Sequence, residues 1–258
     1  MTYEFVKIEK QGRILIVTMN RPEVHNAMHA PLHQEMEEIW NDFSEDDDLW
    51  VGILTGAGEK AFSAGNDLKY TAKGGKGSVN KTGAAGLTMR FDLEKPIIAA
   101  VNGFAMGGGF ETALACDIII ASNNAKFALP EVRVGFIAAA GGIQRLTRQI
   151  GRAASLDMLF TGRHVGAQEA LELGIVSQVV DQEQLMATAK TKAEEIISVS
   201  PSSVRATKKV LNSMDNDSEL EKSLLYSKKV VGDLKTTEDF KEGVNAFVEK
   251  RKPNWKNK

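Results

Sequence analysis

A single cysteine in 258 residues, Cys116, rules out an intrachain disulfide and agrees with a reducing compartment. It stands in the apolar run ALAC, which marks it as a small core residue rather than a nucleophile. Net charge is also scarce. The 32 basic and 34 acidic residues leave −2, no general attraction for nucleic acid or an anionic membrane. No apolar run has the length of a membrane span, and the opening MTYEFVKIEKQG has no secretory pattern, so the expectation is a cytoplasmic protein. Gly56-x-Gly58 lacks the remaining glycine of a dinucleotide fingerprint, and there is no P-loop lysine pattern. Nicotinamide and ATP chemistry are therefore not expected. His25, His29 and His33 have the i, i+4, i+8 spacing of helical metal ligands, but Pro31 breaks the register and His25 follows the loop Arg21-Pro22-Glu23. No metal site is expected from them.

What is present organises itself around Ile97 to Cys116, IIAAVNGFAMGGGFETALAC. The apolar run Ile97–Val101 has the length of a buried strand, Asn102-Gly103 breaks it, and Phe110, Ala113 and Leu114 fall at helical spacing. Between them lie Gly107, Gly108 and Gly109. A glycine turn running from a strand into a helix leaves backbone N–H groups free at a positive helix end, where an anion or developing oxyanion can sit. Glu111 falls in the first turn of that helix. A second glycine turn, Ala64-Gly65-Asn66-Asp67, also follows a strand and offers further N–H donors. Twenty positions beyond Glu111, Glu131 lies in Ala128-Leu129-Pro130-Glu131. Each glutamate alone reads as a surface or capping residue, but together they form a candidate acid/base pair for one water beside one polarised carbonyl.

Hydrophobic and charged contents of 43% and 26% are those of an ordinary globular chain. The opening reads as a hairpin of strands 3–9 and 13–19 joined at Gln11-Gly12, then a helix to about Phe43 with Leu32, Met36, Ile39, Trp40 and Phe43 on one face. Val51–Thr55 reads as a strand, and residues 71–86, rich in Gly, Lys, Ser, Thr and Ala, as a loop or irregular helix over a site. Short strands and helices alternate as far as Val180, and from Gln182 only helices are expected. The last of these is capped by Thr236-x-x-Asp239, with Phe240, Val244 and Phe247 aligned. The division expected is a mixed α/β core over 1–200 and a helical region over 201–258.

Five stretches together resemble the enoyl-CoA hydratase/isomerase (crotonase) family: GAGEKAFSAGNDLK, NGFAMGGGFETALACDI, KFALPEVRVG, TGRHVGAQEALELGIVSQVV and EGVNAFVEKRKPNWK. They occur in the family's order and spacing over essentially the whole chain. Within the family, AFSAGxDLK and MGGGFExALA are similar to the carnitinyl-CoA dehydratases. The resemblance implies an α/β spiral of ββα units with a C-terminal helical trimerisation region, assembled as a homotrimer or dimer of trimers. It implies an acyl-CoA substrate, with no nucleic-acid or membrane partner and no cofactor, coenzyme A being part of the substrate. By resemblance the backbone N–H groups of Asn66 and Gly108 form an oxyanion hole, with Gly107 beside it. Glu111 and Glu131 match the two glutamates that hold water in hydratases. Ala64, Gly65, Asp67, Leu68 and Lys69 line the pantetheine and thioester, Val24 and His25 sit at the adenine end, and Lys250 matches a tail lysine that reaches a neighbouring subunit's CoA.

Two departures touch the substrate rather than the reaction. Ala138-Ala139-Ala140-Gly141-Gly142 replaces the usual Pro-Gly-Ala-Gly-Gly, leaving an N–H at Ala139, and Leu225 stands where an aromatic residue often meets the nucleotide. The expected activity is hydration of a 2-enoyl-CoA. Its rivals are dehydration of a specialised hydroxyacyl-CoA, double-bond isomerisation, and a silent acyl-CoA- or RNA-binding role.

Overall fold

A computed structural model describes residues 3–75, 80–215 and 219–254, so part of the loop read at 71–86 lies outside the described residues. β1 (Val6–Gln11) and β2 (Ile14–Met19) form the expected antiparallel hairpin. Its turn falls one residue later than Gln11-Gly12, because Gly12 takes a left-handed φ of 55° at little cost. α1 (Ala30–Glu45) buries Leu32, Met36, Ile39, Trp40 and Phe43, with His33 among them.

From there the chain repeats one step: a strand in a large sheet, a three-residue strand in a small sheet, and a helix. The first turn is β3 (Val51–Gly56), β4 (Ala61–Ser63) and α2 (Leu68–Ala72). The second is β5 (Ile97–Val101), β6 (Phe104–Met106) and α3 (Gly108–Leu114). The third is β7 (Ile118–Ser122), β8 (Lys126–Ala128) and, after the 3-10 turn Pro130–Val134, α4 (Gly142–Ile150). This is the spiral of ββα units expected above. α5 (Arg152–Thr161), β9 (Val165–Gly166), α6 (Ala167–Glu172) and β10 (Gln178–Val180) follow. The six-stranded sheet has the order β1-β2-β3-β5-β7-β10 and the four-stranded one β4-β6-β8-β9; among the described residues β1 with β2 and β8 with β9 are antiparallel and the other neighbours parallel.

β5 shows why its sequence is apolar without interruption. Successive side chains of a strand point to opposite faces. Ile97, Ala99 and Val101 enter the main core with Phe43 and Phe110, while Ile98 and Ala100 meet Leu185, Ala189 and Ala193 of α7 (Leu185–Ile197). Both faces are covered, so the Asn102 end of the strand is held firmly over the small sheet, and α3 starts from a fixed point.

α8 (Pro201–Asp215), α9 (Glu219–Leu234) and α10 (Glu238–Glu249) complete the chain. α9 packs on α4, and α10 on the 3-10 turn Pro130–Val134. The cap of α10 is Thr237 rather than Thr236: its hydroxyl accepts the Phe240 N–H at 3.0 Å. α10 buries Gly243 and Ala246, whereas Phe247 of the expected stripe is half exposed. Among the described residues no helix is long and apolar enough to cross a membrane.

Candidate active site

Two glycine turns meet at the start of α3. Residues 65–67 run beside Met28 as one parallel bridge, in which the Met28 N–H donates to Gly65 O at 2.7 Å and the Asp67 N–H to Met28 O at 2.8 Å. Such a bridge uses the groups on either side of Asn66 and leaves the N–H of Asn66 facing the other way. Gly108 opens α3, and the N–H of a first helical residue has no carbonyl in the preceding turn to bond. The two donors are neighbours: a methyl built on Gly108 would lie 3.8 Å from Asn66 N, and one on Gly65 3.1 Å from Gly108 N. Gly107 makes the approach, with φ 52° and ψ −128°, and Gly109 presses on Ser63 O where no side chain fits.

One turn into α3, Glu111 is buried, and its Oε1 accepts the N–H groups of Ala140 at 2.7 Å and Gly142 at 2.9 Å. Glu131 reaches the same site from the 3-10 turn after β8. A methyl on Gly107 would stand 3.0 Å from Glu131 Oε1, and Glu131 Oε2 is buried with no hydrogen-bond partner among the described residues. Burial pushes both carboxyls up. Glu111 rises only to about 7, because the Gly142 and Ala140 N–H groups and the Arg145 charge favour its carboxylate. Glu131 rises to about 8, driven by burial and by the neighbouring Glu111 charge. With two N–H donors on Glu111 and no partner for Glu131 Oε2 among the described residues, a proton shared by the pair sits preferentially on Glu131.

The sites expected from sequence fall into groups. Gly65, Asn66, Gly107, Gly108, Glu111 and Glu131 come together around α3. Ala64 is exposed beside His25, whose carbonyl accepts the Ala64 N–H at 2.9 Å; His25 is exposed and Val24 half-buried on the same loop. Leu68 and Lys69 begin α2. Asp67 is not turned to that surface. Its Oδ1 accepts the Tyr70 N–H and caps α2, and its Oδ2 pairs with Arg21 Nη1 at 3.0 Å, so it holds the loop together. The turn at 138–142 binds Glu111 through Ala140 and Gly142, one residue on from the Ala139 N–H expected from sequence. Leu225 is exposed on α9, while its neighbour Leu224 is buried toward Gly141. Lys250 caps α10, exposed, at φ 55°.

The three histidines diverge. His25 is exposed, His29 sits edge-on between Phe5 and Tyr70, and His33 Nδ1 accepts the Ala85 N–H at 3.0 Å. Burial and Asp117 push the Cys116 thiol up, which keeps it inert in the core.

Asn26 is absent from the sequence reading. It is fully buried at φ 53°; its Oδ1 accepts the Arg21 N–H, and its Nδ2 donates to Ala57 O and Ala61 O. Ser63 Oγ then donates to Asn26 O and accepts the Gly65 N–H at 3.1 Å. This short chain of bonds fixes the Gly65–Asn66 turn. Its only sequence signal is an asparagine, a residue tolerant of left-handed backbone, in a loop after Pro22.

Comparison with known proteins bears on the chain as a whole. Residues 9–258 match the enoyl-CoA hydratase/isomerase family. The chain is 40% identical over 250 residues to a short-chain-enoyl-CoA hydratase of Clostridium acetobutylicum, covering 96% of this chain and 95% of that one. It is 42% identical over 259 residues to the carnitinyl-CoA dehydratase of Escherichia coli K12, covering 98% of each. A carnitinyl-CoA hydratase structure from Mycobacterium avium superposes with a TM-score of 0.94 at 36% identity, over 100% of both chains. An enoyl-CoA hydratase structure from Bacillus anthracis gives 0.78 at 36% identity, over 99% of this chain and 100% of that one.

Proposed function

Because the chain belongs to the enoyl-CoA hydratase/isomerase family, we propose that it catalyses reversible syn addition of water to a 2-enoyl-CoA thioester. One observation carries this reading: two glutamates of unlike environment, Glu111 buried and Glu131 half-buried with its Oε2 covered, share a site with the paired N–H groups of Asn66 and Gly108. An isomerase moves one proton and needs one base, whereas addition of water needs a base for the water and an acid for carbon.

In this mechanism the thioester oxygen accepts both N–H groups, and the β-carbon becomes electrophilic as charge moves onto that oxygen. Glu111, the better-stabilised carboxylate, takes a proton from water while the water oxygen bonds to Cβ. The electron pair of the double bond passes into an enolate held by Asn66 and Gly108. Glu131 gives its proton to Cα as the enolate collapses. The pair still carries one proton at the end, so the same state, with the proton on the other glutamate, runs dehydration. The thioester supplies the activation, and the proposal calls for no metal or redox cofactor.

The test is hydration of crotonyl-CoA across pH. Since the pair must hold one proton, kcat/KM should be bell-shaped. The ascending limb follows loss of the first proton of the coupled pair and the descending limb loss of the second, both raised above the ordinary carboxylate range by burial. No turnover of crotonyl-CoA at any pH would remove the short-chain hydratase reading. Carnitinyl-CoA is the second substrate to try, because both the Escherichia coli relative and the 0.94 superposition carry that name. Acyl-CoA binding without turnover of either would favour the silent relative.

The family resemblance further supports a homotrimer or dimer of trimers built on residues 201–258, with Lys250 reaching a neighbour's CoA. Lys250→Ala should then raise KM for the acyl-CoA while leaving kcat nearly unchanged, and the difference should shrink at high salt. Equal KM values at low ionic strength would assign Lys250 to the solvated surface.

A further inference from the structure

α3 places Glu111 among very few charges. It packs against α4, β4, β6 and the 3-10 turn Ala84–Gly86. The residues of β4 (AFS), β6 (FAM) and that turn (AAG) have no titratable side chain. Among the described residues, the groups that act on the Glu111 carboxyl by charge are Glu131, on the 3-10 turn Pro130–Val134, and Arg145, on α4.

Arg145 binds backbone on two sides of the site. Its Nη2 donates to Thr88 O at 2.8 Å and its Nη1 to Ala140 O at 3.4 Å, and the guanidinium lies 6.0 Å from the Phe91 ring centroid. Ala140 is the residue whose own N–H meets Glu111 Oε1, and the next residue, Gly141, turns at φ 105° against Arg145 itself. Thr88 in turn anchors the segment before it, its Oγ1 accepting the Ala84 N–H at 2.8 Å. On its other side Arg145 lines a cavity of about 280 Å³ at the far end of α3, together with Leu114, Cys116 and Lys208. One guanidinium thus joins the 84–88 segment to the 140–142 turn, beside the acid/base pair.

We propose that Arg145 is a positioning residue for the reaction: by tying the Ala140–Gly142 turn to the Thr88 segment, it keeps both backbone donors aimed at Glu111 Oε1. The inference rests on the hydratase reading for what Glu111 does, but not for how Glu111 is held. The fork of the guanidinium is needed because two carbonyls are bound by two different nitrogens. An ammonium keeps the charge but is a single point on a flexible stem.

The experiment compares Arg145→Met and Arg145→Lys with the wild-type protein in three measurements: thermal unfolding, crotonyl-CoA kinetics, and titration of the Glu111 carboxyl by infrared difference, assigned with Glu111→Gln. Arg145→Met should lower kcat about 10²-fold, the order expected when a reacting group is misplaced by an ångström, with KM changed far less. It should also move the Glu111 titration to higher pH, because a positive charge and aligned donors that favour the carboxylate are lost. Arg145→Lys should bring the titration back toward wild type while kcat stays reduced. An unmoved titration in Arg145→Met overturns the proposal, including the case where kcat falls only as the folded fraction falls. If Arg145→Met does not fold, wild-type kcat in Arg145→Lys overturns it and a lowered kcat at unchanged stability upholds it. A protein that turns over no crotonyl-CoA, yet whose Glu111 titration moves on Arg145→Met, would sink the hydratase reading and keep this one.

Discussion

Glu111→Gln and Glu131→Gln should each lower crotonyl-CoA hydration by about 10²–10⁴-fold, and the double variant should be little worse than the poorer single one. In the proposed mechanism the two carboxyls serve a single water, one taking its proton and the other delivering a proton to carbon. Removing either leaves the transition state without half of a coupled transfer, so the second loss adds little. Glutamine suits the test because its carbonyl oxygen still accepts the Ala140 and Gly142 N–H groups, and acyl-CoA binding should persist. The two substitutions differ in cost to the fold. At Glu131 the amide N–H group enters a place where Oε2 is covered and has no partner among the described residues, so some stability is lost there and unfolding must be measured alongside rate. Multiplying losses would mean two independent catalysts. Activity surviving Glu131→Gln alone would return the single-base isomerase reading.

The parts of the fold legible in sequence are those whose physics is local. β5 is visible because a five-residue apolar run buried on both faces has no polar position to interrupt it. α1 is visible because its buried residues repeat at the helical period over sixteen residues. β8 shows in sequence as a short strand at Lys126–Phe127, but β4 and β6 are three residues each, too short to show any period, and they exist only because they pair with their neighbours. The pairing that makes these strands a small sheet is therefore not legible in sequence, although it sets the spacing between the two glycine turns.

The site divides the same way. Glu111 and the Gly107–Gly109 turn stand out because strand, glycines and helix are contiguous. Glu131 becomes meaningful only once the 3-10 turn carries it to Gly107. Asn26, thirty-five residues from Ala61 O, and Arg145, fifty-seven from Thr88 O, act through backbone groups far along the chain. No spacing rule finds such partners, because any carbonyl can be one.

Gly108→Val should cost about 10²–10³-fold in kcat with a small change in KM, the size of loss seen when one oxyanion donor is removed. The position is well suited to the question because the new side chain meets little that is rigid. A β-carbon there would lie 3.3 Å from Met28 Cε, the free end of a flexible side chain, and 3.8 Å from Asn66 N, beside the space that the proposed mechanism gives to the thioester oxygen. The methyl groups of valine extend further into that space. They force the oxygen away from one donor without displacing backbone, so the folded state should survive. The neighbouring glycines would give a blurred answer. At Gly109 any side chain collides with Ser63 O, and Gly107 has a positive φ and faces Glu131 Oε1, so changes there disturb packing, backbone or the acid/base pair. Charge gathers on the oxygen chiefly in the transition state, which is why the loss belongs in kcat. A folded Gly108→Val protein that hydrates crotonyl-CoA at the wild-type rate would show that the reacting carbonyl lies elsewhere, and the mechanism built on Asn66 and Gly108 would fall with it.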